Sequence, residues 1–486
     1  MNSPERERFD ATVARTLTDA RLQDWLADFQ ELAEQGHDDA VGELGDPEAW
    51  RDALSAVRAH TVAHLDHYVE QFAANVELHG GHVFFAATAA EARDYVVRVA
   101  RDHGARRIVK AKSMVTAEIE LNEALAAAGV DVVETDLGEF IVQLTGEGPY
   151  HIIGPALHMT LDQIHELFSR EAGEELPHDA DELAAYARAR LREQFLKAAL
   201  GISGGNFGIA DTGTVVLVTN EGNGRMSTTL PRTHVAVMGI ERLLPDWESL
   251  ECALTLLTRS ATGQRISTYV SAITGPRRET DEDGPSELHV VLLDNGRSGI
   301  LGTRYEPVLK CIRCGACLDQ CPVYGRIGGH AYGSAYSGPI GAVLTPLLHG
   351  LDGHVELPYA SSLCGACVDA CPARVPLTDL LLQLRADAVR SGRQPASWGA
   401  GFRGYAAATV RPGLWDAGVR AAASLARPFA RDGFIRSAPG LLGKWTAARD
   451  LPAPARRSFR RRWRDDHAEQ DDRVTRGAHI TGDGEG

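Results

Sequence analysis

The chain of 486 residues carries a net charge of −16 and has an ordinary globular composition, 44% hydrophobic and 24% charged. This length allows about three domains, and the acidic balance argues against generic nucleic-acid binding. All but one of the eight cysteines fall in two short motifs, so no disulfide framework is expected and a reducing, cytoplasmic location is favoured. The charged N-terminus and the lack of apolar stretches near about 18 residues predict no signal peptide and no transmembrane segment.

Residues 1–59 are predicted to form an acidic helical region. Apolar residues recur there at near-helical spacing, from Phe9 to Phe29 and again from Trp50 onward. Three histidines follow at i, i+4 and i+7, which would place them on one helical face: His60, His64 and His67. A metal site is conceivable, but no acidic or cysteine partner completes it locally. We therefore favour a partly exposed helix face.

Residues 60–298 alternate strand and helix patterns, which predicts an α/β domain with a mostly parallel sheet. Strands are predicted at 83–86, 107–111, 130–134, 151–153, 215–219, 235–238, 268–273 and 288–293. Capping boxes predict helices that begin at Thr88 and Thr160. Another helix is predicted over 113–128, with Gly129 just beyond its end.

Two segments of this region, 201–214 and 219–225, are rich in glycine and small polar residues. Ligands of open α/β sheets bind at the carboxyl ends of strands, and glycine-rich backbone can direct N–H groups at an anion or carboxylate. The spacing matches no nucleotide-binding motif. The alternative is a tight connection whose glycines adopt positive φ.

Residues 299–385 contain two cysteine runs, each followed by proline. The first reads C-x2-C-x2-C-x3-C-P and consists of Cys311, Cys314, Cys317 and Cys321. The second consists of Cys364, Cys367 and Cys371. This is the spacing of [4Fe–4S] ligands. Paired cysteines also bind zinc, but zinc explains neither the third evenly spaced cysteine nor the prolines. We therefore predict two [4Fe–4S] clusters.

The last cysteine of such a run binds the other cluster in two-cluster ferredoxins. The first cluster is thus predicted to bind Cys311, Cys314, Cys317 and Cys371. The second is predicted to bind Cys321, Cys364 and Cys367. Its fourth position falls on Ser361, so it is one thiolate short, and Cys252 is the remaining cysteine. The open iron could bind the Ser361 oxygen, solvent or a ligand from elsewhere, or the cluster could be [3Fe–4S].

Residues 386–464 are predicted to form a basic, tryptophan-containing C-terminal domain. Residues 391–464 contain 15 Arg or Lys against three acids, whereas residues 1–60 contain 14 acids against six bases. Basic and aromatic residues together can indicate RNA binding. The opposite charge of the N-terminal region favours contact with protein instead, either this chain or a sister subunit. Residues 465–486 are predicted to be a disordered tail.

The cluster motifs resemble those of the lactate utilization protein B family, the iron–sulfur subunit of a bacterial L-lactate oxidation system. So do the segments 110–114, 122–125, 134–139 and 201–220, and the resemblance covers nearly the whole chain. It implies a LUD domain of the NagB/RpiA/CoA-transferase-like fold over about 60–298, then an α-helical bis-cluster ferredoxin-like domain and a helical C-terminal region. It also implies two sister subunits, a CCG-domain protein and a second LUD-domain protein.

Two positions bear on how closely the chain follows that family. The cysteine missing at Ser361 is also missing from the family pattern, so it is not a local defect. Asp211 stands where many members have Glu, which leaves the role of its loop open.

Lactate oxidation to pyruvate releases two electrons, and each cluster carries one. We therefore predict an iron–sulfur electron-transfer subunit of an L-lactate-oxidising complex, because the chain has no flavin or nicotinamide fingerprint and no evident base–nucleophile pair. The alternative is a LUD domain that itself binds or converts substrate, with Lys110, Lys112, Glu139 and the 201–225 loops forming a pocket. A third possibility is a regulatory protein or scaffold whose clusters only stabilise the fold.

Overall fold

The computed structural model describes residues 9–392, 396–438, 440, 443–446, 449–455, 457–464 and 467, and the chain divides after residue 393 into two compact units. Four helices begin the first unit, as the sequence predicts: α1 (Phe9–Thr18), α2 (Ala20–Gly42), α3 (Pro47–Ala63) and α4 (Leu65–Leu78). Aspartate side chains cap α2 and α3, because Asp19 accepts from Leu22 N and Asp46 accepts from Ala49 N.

The single helical face predicted for the three histidines is wrong. The chain leaves helical geometry at His64, which has φ −124° and ψ 35° and separates α3 from α4. His60 lies in α3, where its Nε2 is 2.9 Å from the Tyr68 hydroxyl, and His67 lies in α4. Among the described residues these three imidazoles form no metal-sized group.

A six-stranded parallel sheet forms the centre of the first unit, in the order β1-β10-β7-β4-β2-β3. Its strands are β1 (His82–Ala86), β2 (Arg107–Lys110), β3 (Asp131–Glu134), β4 (Leu200–Ser203), β7 (Thr233–Gly239) and β10 (Glu287–Leu293). Every residue of β7 is buried, as expected for a parallel strand covered on both faces. The α/β fold class predicted from the sequence is confirmed.

Helices cover both faces of this sheet. They include α5 (Ala89–Asp102), α6 (Met114–Glu118), α7 (Leu121–Ala127), α8 (Leu137–Thr145), α9 (Leu161–Ala172), α10 (Ala180–Lys197) and α11 (Asn223–Thr229). Helix α12 (Trp247–Thr262) packs instead with Phe207 and Leu244 of a second sheet. Val235 and Val237 of β7 pack with α5 and α7, whereas Ala236 and Met238 pack with Phe72 of α4 on the opposite face. The alternation follows from the two-residue repeat of a strand.

Two predicted elements differ in the structure. The helix predicted over 113–128 is divided into α6 and α7 at Glu120, which adopts φ 51°. The strand predicted over 151–153 is an irregular turn. Its backbone bonds locally instead of joining a sheet, since Ile153 N donates to His151 Nδ1 at 3.2 Å, and His151 Nε2 lies 3.0 Å from Asp319 Oδ1.

A second sheet connects the α/β layer to the cysteine-rich segment. It contains β5 (Phe207–Ile209), β6 (Thr214–Thr219), β8 (Leu243–Leu244) and β9 (Tyr269–Ile273), in the order β8-β5-β6-β9. The cysteine-rich segment is built from α13 (Ala316–Asp319), α14 (Tyr324–Ile327), α15 (Gly338–His349), α16 (Ala366–Asp369) and α17 (Leu377–Arg390). Phe207, Val216 and Leu256 share one continuous apolar core with this segment. The cysteine loops are therefore packed directly against the α/β region.

The described residues of the second unit form helices and one small two-stranded ribbon. Its elements are α18 (Ala396–Thr409), α19 (Pro412–Ala426), β11 (Phe434–Ile435), α20 (Gly443–Thr446) and β12 (Leu451–Pro452), with β11 and β12 antiparallel. Apart from His467, the predicted tail at 465–486 lies outside the described residues. No described helix is both long and apolar enough to cross a bilayer.

Candidate metal centre

The two cysteine runs fold as a repeat with an offset of fifty residues, 311–321 matching 361–371. Gly315 and Gly365 adopt φ 93° and 97° and begin the one-turn helices α13 and α16. The residues two before these glycines, Arg313 and Leu363, also have positive φ, at 60° and 56°. Glycine fits where the left-handed backbone is needed. The two loops therefore share one backbone conformation around their cysteines.

The first group of thiols combines three residues of the first run with the last residue of the second. Burial raises the pKa of the Cys314 thiol, and charge on Cys371 and Cys311 raises it further. Burial likewise raises the pKa of Cys317, with contributions from Cys311, Cys314, Cys371 and Cys367. Cys311, Cys314 and Cys371 are the neighbours that the crossed assignment of the first cluster requires, whereas Cys367 belongs to the second group. Ligation itself stays a prediction.

The second group combines Cys321 with Cys364 and Cys367. Burial raises the pKa of Cys367 to about 12, and the charges of Cys321 and Cys364 contribute next. Cys364 is exposed, whereas Cys321 and Cys367 are buried. The second group is therefore the more accessible of the two from solvent.

The spacing and surroundings of the sulfurs fit a cluster. In the described residues, which include all the cysteines, no three sulfurs lie within 4.8 Å of one another, whereas ligands around one tetrahedral zinc would be about 3.8 Å apart. Backbone N–H groups also point at sulfur: Arg313 N at Cys311 (3.3 Å), Tyr324 N at Cys321 (3.4 Å) and Val375 N at Cys371 (3.3 Å). Such N–H donors tune the potential of a bound cluster.

Ser361 occupies the place that Cys311 has in the first loop. Leu363 N donates to Ser361 Oγ at 3.1 Å, just as Arg313 N donates to Cys311 Sγ at 3.3 Å. The hydroxyl therefore caps its turn. The hydroxyl also occupies the position from which the fourth ligand of the second cluster is expected, because Ser361 is equivalent to Cys311.

We expect Ser361→Cys to give a second cluster that is more resistant to oxidation, because a thiolate would complete its ligand set. Ser361→Ala should alter the electron paramagnetic resonance (EPR) spectrum and potential of that cluster only if the hydroxyl is a ligand. Ser362→Ala removes a neighbouring hydroxyl and is the control. Identical spectra for wild type and Ser361→Ala would exclude ligation by this side chain.

Arginines of helix α3 and of the segment after β7 bond backbone carbonyls of the cysteine-rich segment. Arg242 donates to the carbonyl oxygens of Cys311 (2.8 Å) and Ile312 (3.1 Å), and burial lowers its pKa to about 10. Arg58 donates to Leu309 O at 2.9 Å, and Arg51 donates to Cys371 O at 3.1 Å. Sequence reasoning missed these residues, because nothing in the local pattern marks an arginine whose partners are backbone carbonyls far along the chain.

A buried ionic network lies beneath the first loop. Arg297 is fully buried and bonds Glu118 and Glu241, both at 2.6 Å. Glu241 also lies 3.2 Å from Arg313, which stacks on the Tyr336 ring at 4.7 Å. Burial alone would raise the pKa of Glu118, but Arg297, with hydrogen bonds from Tyr336, lowers it to about 2. The network joins helix α6 to the loop of the first run.

The residues proposed for a LUD-domain pocket separate into two places. Lys112 and parts of both glycine-rich loops line a cavity of about 420 Å³. Lys110 is not among its lining residues and forms a buried ion pair with Glu134 at 2.8 Å. Glu139 also lies outside the lining, and burial, with the charge of Glu134, raises its pKa to about 7. The predicted pocket therefore exists with one of the three charged residues.

A further cluster of possible metal ligands was not foreseen. Glu147, His158 and His330 offer ligand atoms within 4.8 Å of one another. They already bond within the protein, since His158 Nε2 lies 2.9 Å from Glu147 Oε2 and His330 Nε2 lies 2.9 Å from Gly148 O. Their wide separation in sequence gives no motif that could have predicted the group.

Three family models match successive parts of the chain. The model described as "LUD domain" matches residues 69–293, "4Fe-4S dicluster domain" matches 307–375, and "Lactate utilisation protein B, C-terminal" matches 389–468. The second match spans both cysteine runs and supports iron–sulfur binding by this segment.

Several curated relatives, each named "Lactate utilization protein B", align over most of the chain. The relative from Geobacillus kaustophilus is 51% identical, covering 86% of this chain and 89% of its own. Those from Shouchella clausii and Bacillus licheniformis are 47% and 48% identical, each covering 93% of this chain and 95% and 96% of their own. A crystal structure of a DUF162 family protein from Deinococcus radiodurans covers 47% of this chain and 98% of its own, at 14% identity and a TM-score of 0.26. That likeness is too weak to support an argument about the fold.

Proposed function

The chain belongs to the lactate utilization protein B family, and from that premise we propose that it is the electron-transfer subunit of a complex that oxidises L-lactate to pyruvate. A role in lactate utilization with iron–sulfur chemistry follows from the family and from the dicluster match. The observation that supports the finer proposal is the proximity of the thiols in two neighbouring groups. Six of the seven thiols lie in or against one apolar core, and Cys364 is exposed. Adjacent one-electron carriers suit stepwise transfer of the two electrons that lactate releases.

Different residues of this chain would bind the clusters, stabilise the thiolates and exclude water. Cys311, Cys314, Cys317 and Cys371 would bind the first cluster, and Cys321, Cys364 and Cys367 the second. When bound, the clusters supply one-electron carriers whose potentials depend on charge, hydrogen bonds and exposure. Backbone N–H groups of Arg313, Tyr324 and Val375 stabilise the thiolates. The apolar core excludes water from the first group more fully than from the second.

Reconstitution tests this function directly. The chain, loaded anaerobically, should show lactate-dependent reduction of its clusters only when the CCG-domain protein and the second LUD-domain protein are both added. A Cys317→Ala chain is the control for nonspecific reduction. Reduction of the clusters by L-lactate with this chain alone would favour the catalytic LUD alternative. Failure of all combinations, with both clusters intact, would contradict the proposed role.

We also propose that the basic C-terminal region docks a sister subunit. The second unit exposes large apolar side chains, including Phe402, Leu414 and Trp463, at 64%, 54% and 54% of their surface. Exposed aromatic residues among arginines are typical of protein interfaces. Deletion of residues 394–486 should therefore dissociate the complex in size-exclusion chromatography while both cluster spectra remain. Tight, salt-sensitive RNA binding by the full chain, lost on the same deletion, would contradict this proposal.

A further inference from the structure

The cavity of about 420 Å³ lies between the α/β region and the loop of the first cysteine run. The segment after β2 contributes Lys112, the loop after β6 contributes Glu221, and helix α12 contributes Leu257 and Ala261. Arg313 and Cys314 form the wall on the side of the first cluster. A ligand in this cavity would therefore lie beside a predicted ligand of that cluster, at the edge of the sheet where α/β proteins bind small molecules.

The size of the cavity argues against lactate as its natural occupant. Pockets for ligands of drug size measure about 300–1,000 Å³, and this cavity equals the liquid volume of about fourteen waters. A three-carbon acid would fill less than about half of it. Apolar side chains, among them Leu217, Val237 and Leu257, form part of the lining and could cover a ring.

One donor in the lining lacks a partner among the described residues. Arg313 Nη1 is buried and makes no hydrogen bond, while its Nη2 lies 3.2 Å from Glu241. The other two basic side chains of the lining already have hydrogen-bond partners. Arg242 donates to backbone carbonyls such as Cys311 O, and Lys112 donates to Ile153 O at 2.8 Å. A buried donor without a partner is costly. Its placement points to an acceptor oxygen on a ligand.

We propose that this cavity binds a planar conjugated two-electron carrier, a flavin or a quinone, with a ring carbonyl oxygen against Arg313 Nη1. The inference rests on the proposed function, because lactate gives up two electrons whereas a cluster accepts one. The reduced ring would release two electrons and two protons on returning to its oxidised form. Two [4Fe–4S] clusters take up one electron each. Glu221 lines the cavity and is open to solvent, and partial desolvation raises the pKa of its carboxyl above the usual range. It can therefore accept the two protons in turn and pass each of them to water.

Anaerobic calorimetry on the full chain, with both clusters loaded, tests this site with flavin mononucleotide and with menadione. We expect one of the two to bind with one-to-one stoichiometry, which identifies the ring as flavin or quinone. Arg313→Gln should weaken that binding at least about tenfold, because the charged donor is lost. Ala261→Trp would fill the cavity from helix α12, and it should abolish binding of the ring compound.

Two controls are matched to these variants. Leu363→Gln alters the equivalent positive-φ position of the second loop, and Glu251→Trp places the same large ring on the exposed side of α12. Neither should change carrier binding. The proposal is overturned if neither ring compound binds to the cluster-loaded chain, if Ala261→Trp leaves binding unchanged, or if pyruvate or L-lactate binds instead. Lactate-dependent reduction of the clusters with the sister subunits would persist in those cases, so the proposed function is tested separately.

Discussion

Replacing Cys371 with alanine is expected to damage the first cluster and leave the second largely intact. The reason is the crossed arrangement, in which Cys371 lies in the second run but has Cys311 as its thiol neighbour. Cys321→Ala is the reciprocal variant, because Cys321 lies in the first run and has Cys364 as its thiol neighbour. It should damage the second cluster. The first variant removes one of four thiolates and the second removes one of three, so each should lose most of one cluster signal.

Mössbauer and EPR spectroscopy of the two variants, with iron and sulfide analysis, distinguish the possibilities. Cys252→Ala is the control, since this buried thiol lies in α12 and outside both runs. The crossed assignment is wrong if each variant loses the cluster of its own run. A wild-type protein with one cluster, or with zinc, would contradict the prediction of two clusters.

The sequence predicted those features that depend on local spacing. The thiol motifs and the capped helices at Thr88 and Thr160 could be predicted, because each follows from residues within one or two turns. The capping box at Thr160 is complete, with Gln163 reciprocating. The fold class follows from the alternation of strand and helix patterns.

Features that depend on long-range contacts were not predictable. Arg58 is an unremarkable residue of an amphipathic helix in the sequence, yet it is fully buried and bonds Leu309 O, 251 positions away. The apolar run at 151–153 suggested a strand, but the bond between His151 and Asp319 holds it as a turn. The cavity beside Cys314 arises where distant segments meet, and no local pattern encodes it.

The largest expected effect on stability comes from Arg297. Its guanidinium bonds Glu118 and Glu241, and the exposed fraction of all three side chains is 0–1%. Arg297→Met would leave two carboxylates buried with fewer partners. Removing one member of a buried ionic group typically lowers the free energy of unfolding by about 3–5 kcal/mol. The midpoint of anaerobic urea unfolding should fall accordingly.

Arg265→Met is the matched control, because Arg265 pairs with Glu43 at 2.5 Å on the surface, where 71% of its side chain is exposed. Solvent screens that pair, so little change is expected. Adding Glu118→Gln to Arg297→Met should restore part of the free energy of unfolding, since it removes one of the two buried carboxylates that lost their partner. If Arg297→Met lowers the free energy of unfolding no more than Arg265→Met does, a structural role for the network is contradicted.

The pH dependence of the free energy of unfolding provides a second test of the same ionic network. In the wild type the pKa of Glu118 is lowered to about 2, so its contribution is present above the unfolded value of 4.5 and is lost as pH falls toward about 2. Without Arg297, burial would dominate and raise that pKa above the unfolded value. The carboxyl would then destabilise the fold at high pH and cease to do so as it protonates. The stability gap between Arg297→Met and wild type should therefore narrow as pH falls toward the unfolded value of 4.5, whereas a defect caused by lost packing alone would leave the gap constant over that range.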